Sequence, residues 1–371
     1  MYIYRSLAYW GGIERILVDK MNALVTSYGD EVCMLTYDQG DHTVPYQLNE
    51  AVHLIDLGVQ SHHQYRYRGL QKLWVACQKL RLLAKRMAEQ LQQIRPDIIV
   101  CAGIDHAAVI ARLKGDVPMV IESHNICQYI FENKGLRHRL VAFMFSRALL
   151  KIQAVVALTE GDACEWRKRT DRVWVIPNLV HLNHTGRSSD QTQRRVIFVG
   201  RFDAQKRVLD AIRIWQMVYP QFPDWQLDIY GEGEEEQQLV EATRSLQMNI
   251  HIHRPTLHIF DCYCDSAFLV LTSRFEPFGL VMPEAMSCGL PVVAYDVPYG
   301  PASIITDGKD GFVVPDNDAK AFADRMCLLM GDASLRKEMG QAAMLSAQRY
   351  KETNIMPLWK QLFGELASPA K

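Results

Sequence analysis

Apolar positions along this chain alternate between two patterns. Short continuous runs such as DIIVCAG, PMVIESH and AFLVLT read as buried strands, and the stretches between them, with apolar residues at three- and four-residue spacing, read as amphipathic helices. In the first half, Tyr2 to Leu7 reads as a clipped first strand, and a helix follows the turn at Gly11 and Gly12. Glu31 to Tyr37 and Ala51 to Gly58 are further strands, a long basic helix reaches Gln93, and four more strand runs end near Asn178. A second series opens with Val196 to Gly200 and continues through WQLDIYGEG, NIHIHR, AFLVLT, PVVAYDV and GFVVP. Strands alternating with helices predict an α/β protein with doubly wound parallel sheets.

The pattern also predicts the domain division. Residues 1–180 form one domain, and the polar, aperiodic stretch His181 to Arg195 reads as a linker. Residues 196–350 form the second domain, and the terminal helix 351–371, with Trp359 and Phe363 on one face, is expected to pack back on the first. A length of 371 residues suits two domains of ordinary size. No short-period repeat is visible, which argues against a solenoid.

A formal net charge of -1 gives no global electrostatic case for nucleic acid. The charge is uneven, however: Arg66 to Arg95 holds eight basic residues against one acid, Glu89. A solvated helix face is the ordinary reading, and a cationic surface for anionic lipid headgroups or a phosphate-bearing acceptor is the alternative. Nine cysteines without a CxxC pair fit a reducing compartment and no zinc site. Leu140 to Leu158 is strongly apolar but carries Arg147 and Lys151 at its centre, against a spanning helix. With no signal-like start, the expected location is the cytoplasm, peripherally at the inner face of the plasma membrane.

The chemistry concentrates between Ser273 and Val292. A strand run leads into this stretch, so Glu276 and Glu284 fall at the carboxyl end of a parallel strand, where open α/β sheets bind ligands. Pro283 fits only the first turn of a helix, which must begin near Gly279 to Met282 and offers an N-terminus to an anion. Glu276 precedes Pro277 and is held extended in the loop, whereas Glu284 sits in the first helical turns. The first strand of the second domain ends in GRFDAQKR, placing Arg201 and Lys206 around a turn where two cations could neutralise a diphosphate. Gly11 and Gly12 open a helix after a strand, without the dinucleotide glycine fingerprint. Each feature alone has a bland alternative: solvated cations, a glycine turn, and for His124 a satisfied polar residue closing a strand.

Taken in order, GGIER, ESHN, LTEGD, VIPN, GRFDAQK, YGEG and SRFEPFGLVMPEAMSCGLPVVA resemble the family-4 glycosyltransferases of the GT-B fold over nearly the whole chain. The YDVPYGPASII run resembles the hexosyl and N-acetylhexosaminyl transferases of bacterial surface polysaccharide. The resemblance implies two Rossmann-like domains facing a cleft and a retaining transfer from a nucleotide diphosphate sugar, expected to be a UDP-sugar, to a glycan or lipid-linked acceptor. It implies that Arg201 and Lys206 bind the diphosphate, together with the helix N-terminus at Phe278, Gly279, Leu280 and Val281. Glu284 would bind the ribose hydroxyls, Glu276 the donor sugar's hydroxyls, and His124 would lie close to the reacting sugar. Gly11 and Gly12 would let the first domain's loop approach the donor, and Gly231 and Arg254 would border the nucleotide. No metal and no cofactor beyond the sugar nucleotide are expected; the Asp316 to Asp318 triplet reads as a turn and helix cap. Arg207 stands where a glycine is frequent, which stiffens the phosphate loop or adds a cation. The alternatives are a nucleotide-sugar epimerase and a non-catalytic sugar-nucleotide-binding subunit; a glycosidase, which would use the acid pair, leaves Arg201 and Lys206 without a task.

Overall fold

The computed structural model describes residues 1–131, 135–244 and 246–367, excepting the side chains at 64–65 and 136–138. Two compact units emerge: Met1–Leu179 with the helix Glu352–Ala367, and Val180–Lys351.

The first unit is built on a seven-stranded sheet with order β3-β2-β1-β4-β5-β6-β7. Its strands are β1 (Tyr2–Ile3), β2 (Cys33–Thr36), β3 (His53–Asp56), β4 (Ile99–Ala102), β5 (Met119–Glu122), β6 (Ala154–Ala157) and β7 (Val173–Val175). All pairings are parallel. β2, β4, β5 and β6 are buried along their whole length, as parallel strands covered by helices on both faces must be, which is why they read as continuous apolar runs. Right-handed crossovers put the helices Gly69–Ile94, Ala107–Leu113 and Leu136–Leu149 on one face and Gly12–Tyr28 on the other. The helix Glu352–Ala367 packs against Gly12–Tyr28.

The second unit carries six parallel strands in the order β10-β9-β8-β11-β12-β13. They are β8 (Arg195–Val199), β9 (Gln226–Tyr230), β10 (Ile250–His253), β11 (Phe268–Leu271), β12 (Val292–Asp296) and β13 (Gly311–Pro315). Phe198, Trp215, Trp225, Phe268 and Phe322 fill its core. Strand order reverses between β1 and β4 in one sheet and between β8 and β11 in the other, the crevices at which such sheets take ligands.

The stretch expected as a linker is fastened to the second unit. The Asn183 amide donates to Ser287 Oγ, Ser189 Oγ to the Ser266 carbonyl, and Gln191 Nε2 to the Gly289 carbonyl. Arg187 pairs with Asp261 and Asp265. Among the described residues, no helix is long and apolar enough to cross a membrane.

Candidate functional site

In the second unit, the loops leaving β8 and β11 are joined by hydrogen bonds. The Arg274 amide donates to the Gln205 carbonyl at 2.7 Å, and Gln205 Nε2 to the Phe275 carbonyl at 3.2 Å. Asp203 closes the turn by accepting the amides of Gln205 and Lys206, which turns the Lys206 side chain toward the β11 loop. There its ammonium meets Glu276 Oε2 at 2.5 Å, and Ser273 Oγ donates to the same oxygen at 3.1 Å. Lys206 and Glu276 are thus already paired, rather than standing apart over separate parts of a donor. Arg201 is largely exposed, its guanidinium 3.0 Å from both Asp203 and Gln205.

Glu276 is held by its backbone as well. Its amide donates to the Pro298 carbonyl, and its own carbonyl accepts the amides of Tyr299 and Gly300 at 2.9 and 2.7 Å. A Cβ on Gly300 would lie 2.1 Å from the Phe278 carbonyl oxygen, so only glycine fits there. The YDVPYGP run is therefore a structural support for Glu276, a role that reading it as a subgroup marker missed. The helix after the loop spans Val281–Ser287, with Glu284 buried in its first turn and Phe278, Gly279 and Leu280 leading into it. Gly231 approaches β8 so closely that a Cβ would sit 2.0 Å from the Gly200 carbonyl. Arg254, just beyond β10, is exposed and pairs with Glu236 at 3.1 Å.

Arg207 is not a spare phosphate cation. It takes a left-handed conformation, φ 47°, at the start of the helix Val208–Val218. Its guanidinium donates to the carbonyls of Thr272 and Ser273, to Asn317 Oδ1 and to Asp316 Oδ1, and lies 5.1 Å from the Tyr295 ring. Asp318 caps the helix Ala319–Gly331 by accepting the Ala321 amide. Two of the three residues in the Asp316 to Asp318 triplet thus hold Arg207, and the third holds a helix end.

The first unit gathers a different set at the carboxyl ends of its central strands. Gly11 caps the helix Gly12–Tyr28, and Tyr46 donates to its carbonyl at 3.1 Å. Glu14, in the first turn, accepts from the Tyr4 hydroxyl at 3.1 Å. Burial raises the Glu14 carboxyl, against the pull of Tyr4 and His124. Two turns along, the fully buried Lys20 pairs with Glu122, the last residue of β5, and lies 4.3 Å from the centre of the Trp359 ring. His124 Nε2 is 3.4 Å from Glu122 Oε1, near enough for attraction but not aligned for a hydrogen bond. Burial alone would raise the Glu122 carboxyl; Lys20 and then His124 outweigh it and bring it down to about 2. Burial lowers the Lys20 ammonium, with Glu122 opposing.

Sequence reasoning thus placed Arg201, Lys206, Glu276, Phe278 to Val281 and Glu284 in one part of the second unit, and Gly11, Gly12 and His124 in the first. It missed Lys20 and Glu14 as members of the polar cluster. The available signal for Lys20 was a lysine set between Ile16 and Leu24 on an otherwise apolar helix stripe. Among the described residues, no group of three or more His, Cys, Asp or Glu is arranged to hold a metal ion.

Comparison with known proteins agrees with this architecture. Residues 10–184 match the family described as Glycosyltransferase Family 4, and residues 183–345 match Glycosyl transferases group 1. The amylovoran biosynthesis glycosyltransferase AmsD of Erwinia amylovora is 33% identical over 238 residues, 59% of this chain and 67% of that protein. The exopolysaccharide phosphotransferase SCO2592 of Streptomyces coelicolor is 33% identical over 225 residues, 58% of this chain; the chain spans 24% of that protein's length. Among solved structures, a glycine-to-arginine mutant of Staphylococcus aureus TarM in complex with fondaparinux, alpha-GlcNAc-glycerol and UDP superposes with a TM-score of 0.79 at 15% identity, covering 98% of this chain and 99% of that one. The two matched family regions, the relative from Erwinia and the paired parallel sheets together show that the chain belongs to the family-4 glycosyltransferases of the GT-B fold.

Proposed function

We propose that the chain transfers a hexose or N-acetylhexosamine, with retention of anomeric configuration, from a UDP-sugar to a hydroxyl of a glycan or lipid-linked acceptor in surface polysaccharide synthesis. The observation that carries this reading is the Lys206 and Glu276 pair at the carboxyl end of β11, with Arg201 on the adjoining loop. Charge develops on the diphosphate as the bond to the sugar breaks. Fixed cations and a helix N-terminus stabilise it best where it appears. Arg201, Lys206 and the Phe278 to Val281 segment take that task. Glu276 accepts hydrogen bonds from the sugar's hydroxyls, and Glu284 from those of the ribose. Gly231 and Arg254 border the nucleotide, and His124 of the first unit is assigned to the reacting sugar. The cations already supply the charge neutralisation, so the reading needs no metal and no further cofactor. The reaction is placed at the inner face of the plasma membrane.

The test is a panel of uridine and guanosine diphosphate sugars, each with and without a polysaccharide-derived acceptor. The expected result is UDP release from a UDP-sugar, slow alone and accelerated by acceptor. Epimerised sugar nucleotide, or preferential use of a guanosine donor, would overturn the assignment.

A further inference from the structure

The helix Gly69–Ile94 has two apolar faces. Val75, Leu83 and Met87 are buried against the first unit, whereas Leu70, Leu73, Trp74, Cys77 and Leu80 recur at helical spacing on the outside. Leu70, Leu73 and Trp74 are 84%, 64% and 62% exposed. A surface helix ordinarily turns polar residues outward, and a rimmed apolar patch marks a contact surface. Here the rim is cationic. Lys79 and Arg86 turn inward to the Val59 and Leu57 carbonyls, but Arg66, Arg68, Arg81 and Lys85 remain exposed.

A second helix repeats the arrangement. On Leu136–Leu149, Leu140 and Phe143 are exposed beside Arg139 and Arg147, and exposed Leu150 and Lys151 follow. The Arg147 guanidinium lies 6.0 Å from the Phe143 ring. Both helices pack against Ala107–Leu113, so the two patches share one face of the sheet.

We propose that this face docks onto an anionic lipid bilayer. Leu70, Leu73 and Trp74 enter the headgroup boundary while the surrounding arginines and lysines meet lipid phosphate. Apolar residues ringed by cations are the pattern an anionic interface takes up. A second copy of the chain fits poorly, because a twofold contact through this face would set the same cations against themselves. The inference deepens the membrane part of the function proposed above, and its test uses no sugar nucleotide, so either can fail while the other stands.

The experiment is cosedimentation of the full chain with vesicles of phosphatidylglycerol and phosphatidylcholine, against vesicles of phosphatidylcholine alone. Binding to the anionic vesicles is expected, weakened by salt through screening. Replacing Arg66, Arg68 and Arg81 with Gln should lower the partition coefficient about a hundredfold, about fivefold for each cation. Leu73→Gln with Trp74→Gln should lower it at least tenfold while circular dichroism stays unchanged. Equal partition onto neutral vesicles, no partition onto either kind, or unchanged binding by the Leu73 and Trp74 variant would overturn the proposal. So would a concentration-dependent dimer abolished by the same substitutions.

Discussion

Replacing Lys20 with methionine removes one charge from a pair that water does not reach. Methionine keeps the length and apolar stem of the side chain, so little cavity forms and the electrostatic loss dominates. Glu122 would then keep His124, 3.4 Å away, as its remaining polar neighbour. In the native protein its carboxyl sits at about 2 instead of the usual 4.5. That depression favours the folded state at neutral pH, while burial of the Lys20 ammonium, which is pushed down, takes back part of the gain. The sign follows from the depression: the contribution is complete above the unfolded value near 4.5 and is lost as pH falls through 2. Lys20→Met should therefore destabilise the first unit by about 3–5 kcal/mol at pH 7, the usual cost of orphaning a buried charge. The deficit should shrink on acidification toward pH 4, where protonating the orphaned carboxyl becomes cheap. Urea unfolding followed by circular dichroism measures it. The double variant Lys20→Met with Glu122→Leu should recover most of the loss, because apolar replacement of a whole buried pair is tolerated. A single variant within 0.5 kcal/mol of the parent, or a double variant less stable than the single, would refute the reasoning.

Three further outcomes are expected. Lys206→Ala should weaken nucleotide diphosphate binding about a hundredfold by calorimetry, the scale of one charge-assisted contact in a shielded site; unchanged affinity removes Lys206 from the diphosphate. Gly300→Ala puts a methyl 2.1 Å from the Phe278 carbonyl, so the 298–300 segment must shift and take the Glu276 backbone with it; turnover should fall at least tenfold, and normal kinetics would show that the segment is not a support. Turnover should survive EDTA, since Asp316 is engaged by Arg207 and Asp318 by the Ala321 amide; loss of activity that manganese restores would contradict this.

The strands and helices were legible because burial on two faces leaves continuous apolar runs, and Val196 to Gly200 and the stretch after Gly12 show the two periodicities plainly. The start of the helix at Val281 was legible from Pro283 alone. What escaped was whatever depends on a distant partner. Lys20 looks like a flaw in an apolar stripe until Glu122, 102 residues away, supplies its countercharge. Arg207 looks like one more loop cation until folding brings Thr272, Ser273 and the Asp316 turn around it. The stretch after His181 lacks periodicity because it is fastened through individual side chains and not through a repeating face. Of the proposed site, charge type and approximate place along the chain were readable, and the pairing of Lys206 with Glu276 was not.

If the proposed roles hold, the pairing of Lys206 with Glu276 would make the donor site work like a two-key lock. Lys206 and Glu276 satisfy each other, so a ligand gains little by engaging only one of them. On the proposed roles, a nucleotide without a sugar draws Lys206 away but strands the glutamate, and a free sugar does the reverse. A sugar diphosphate turns both keys together. On the same proposed roles, once transfer has removed the sugar the remaining nucleotide would hold only one of them, and the reforming pair would help push the product out.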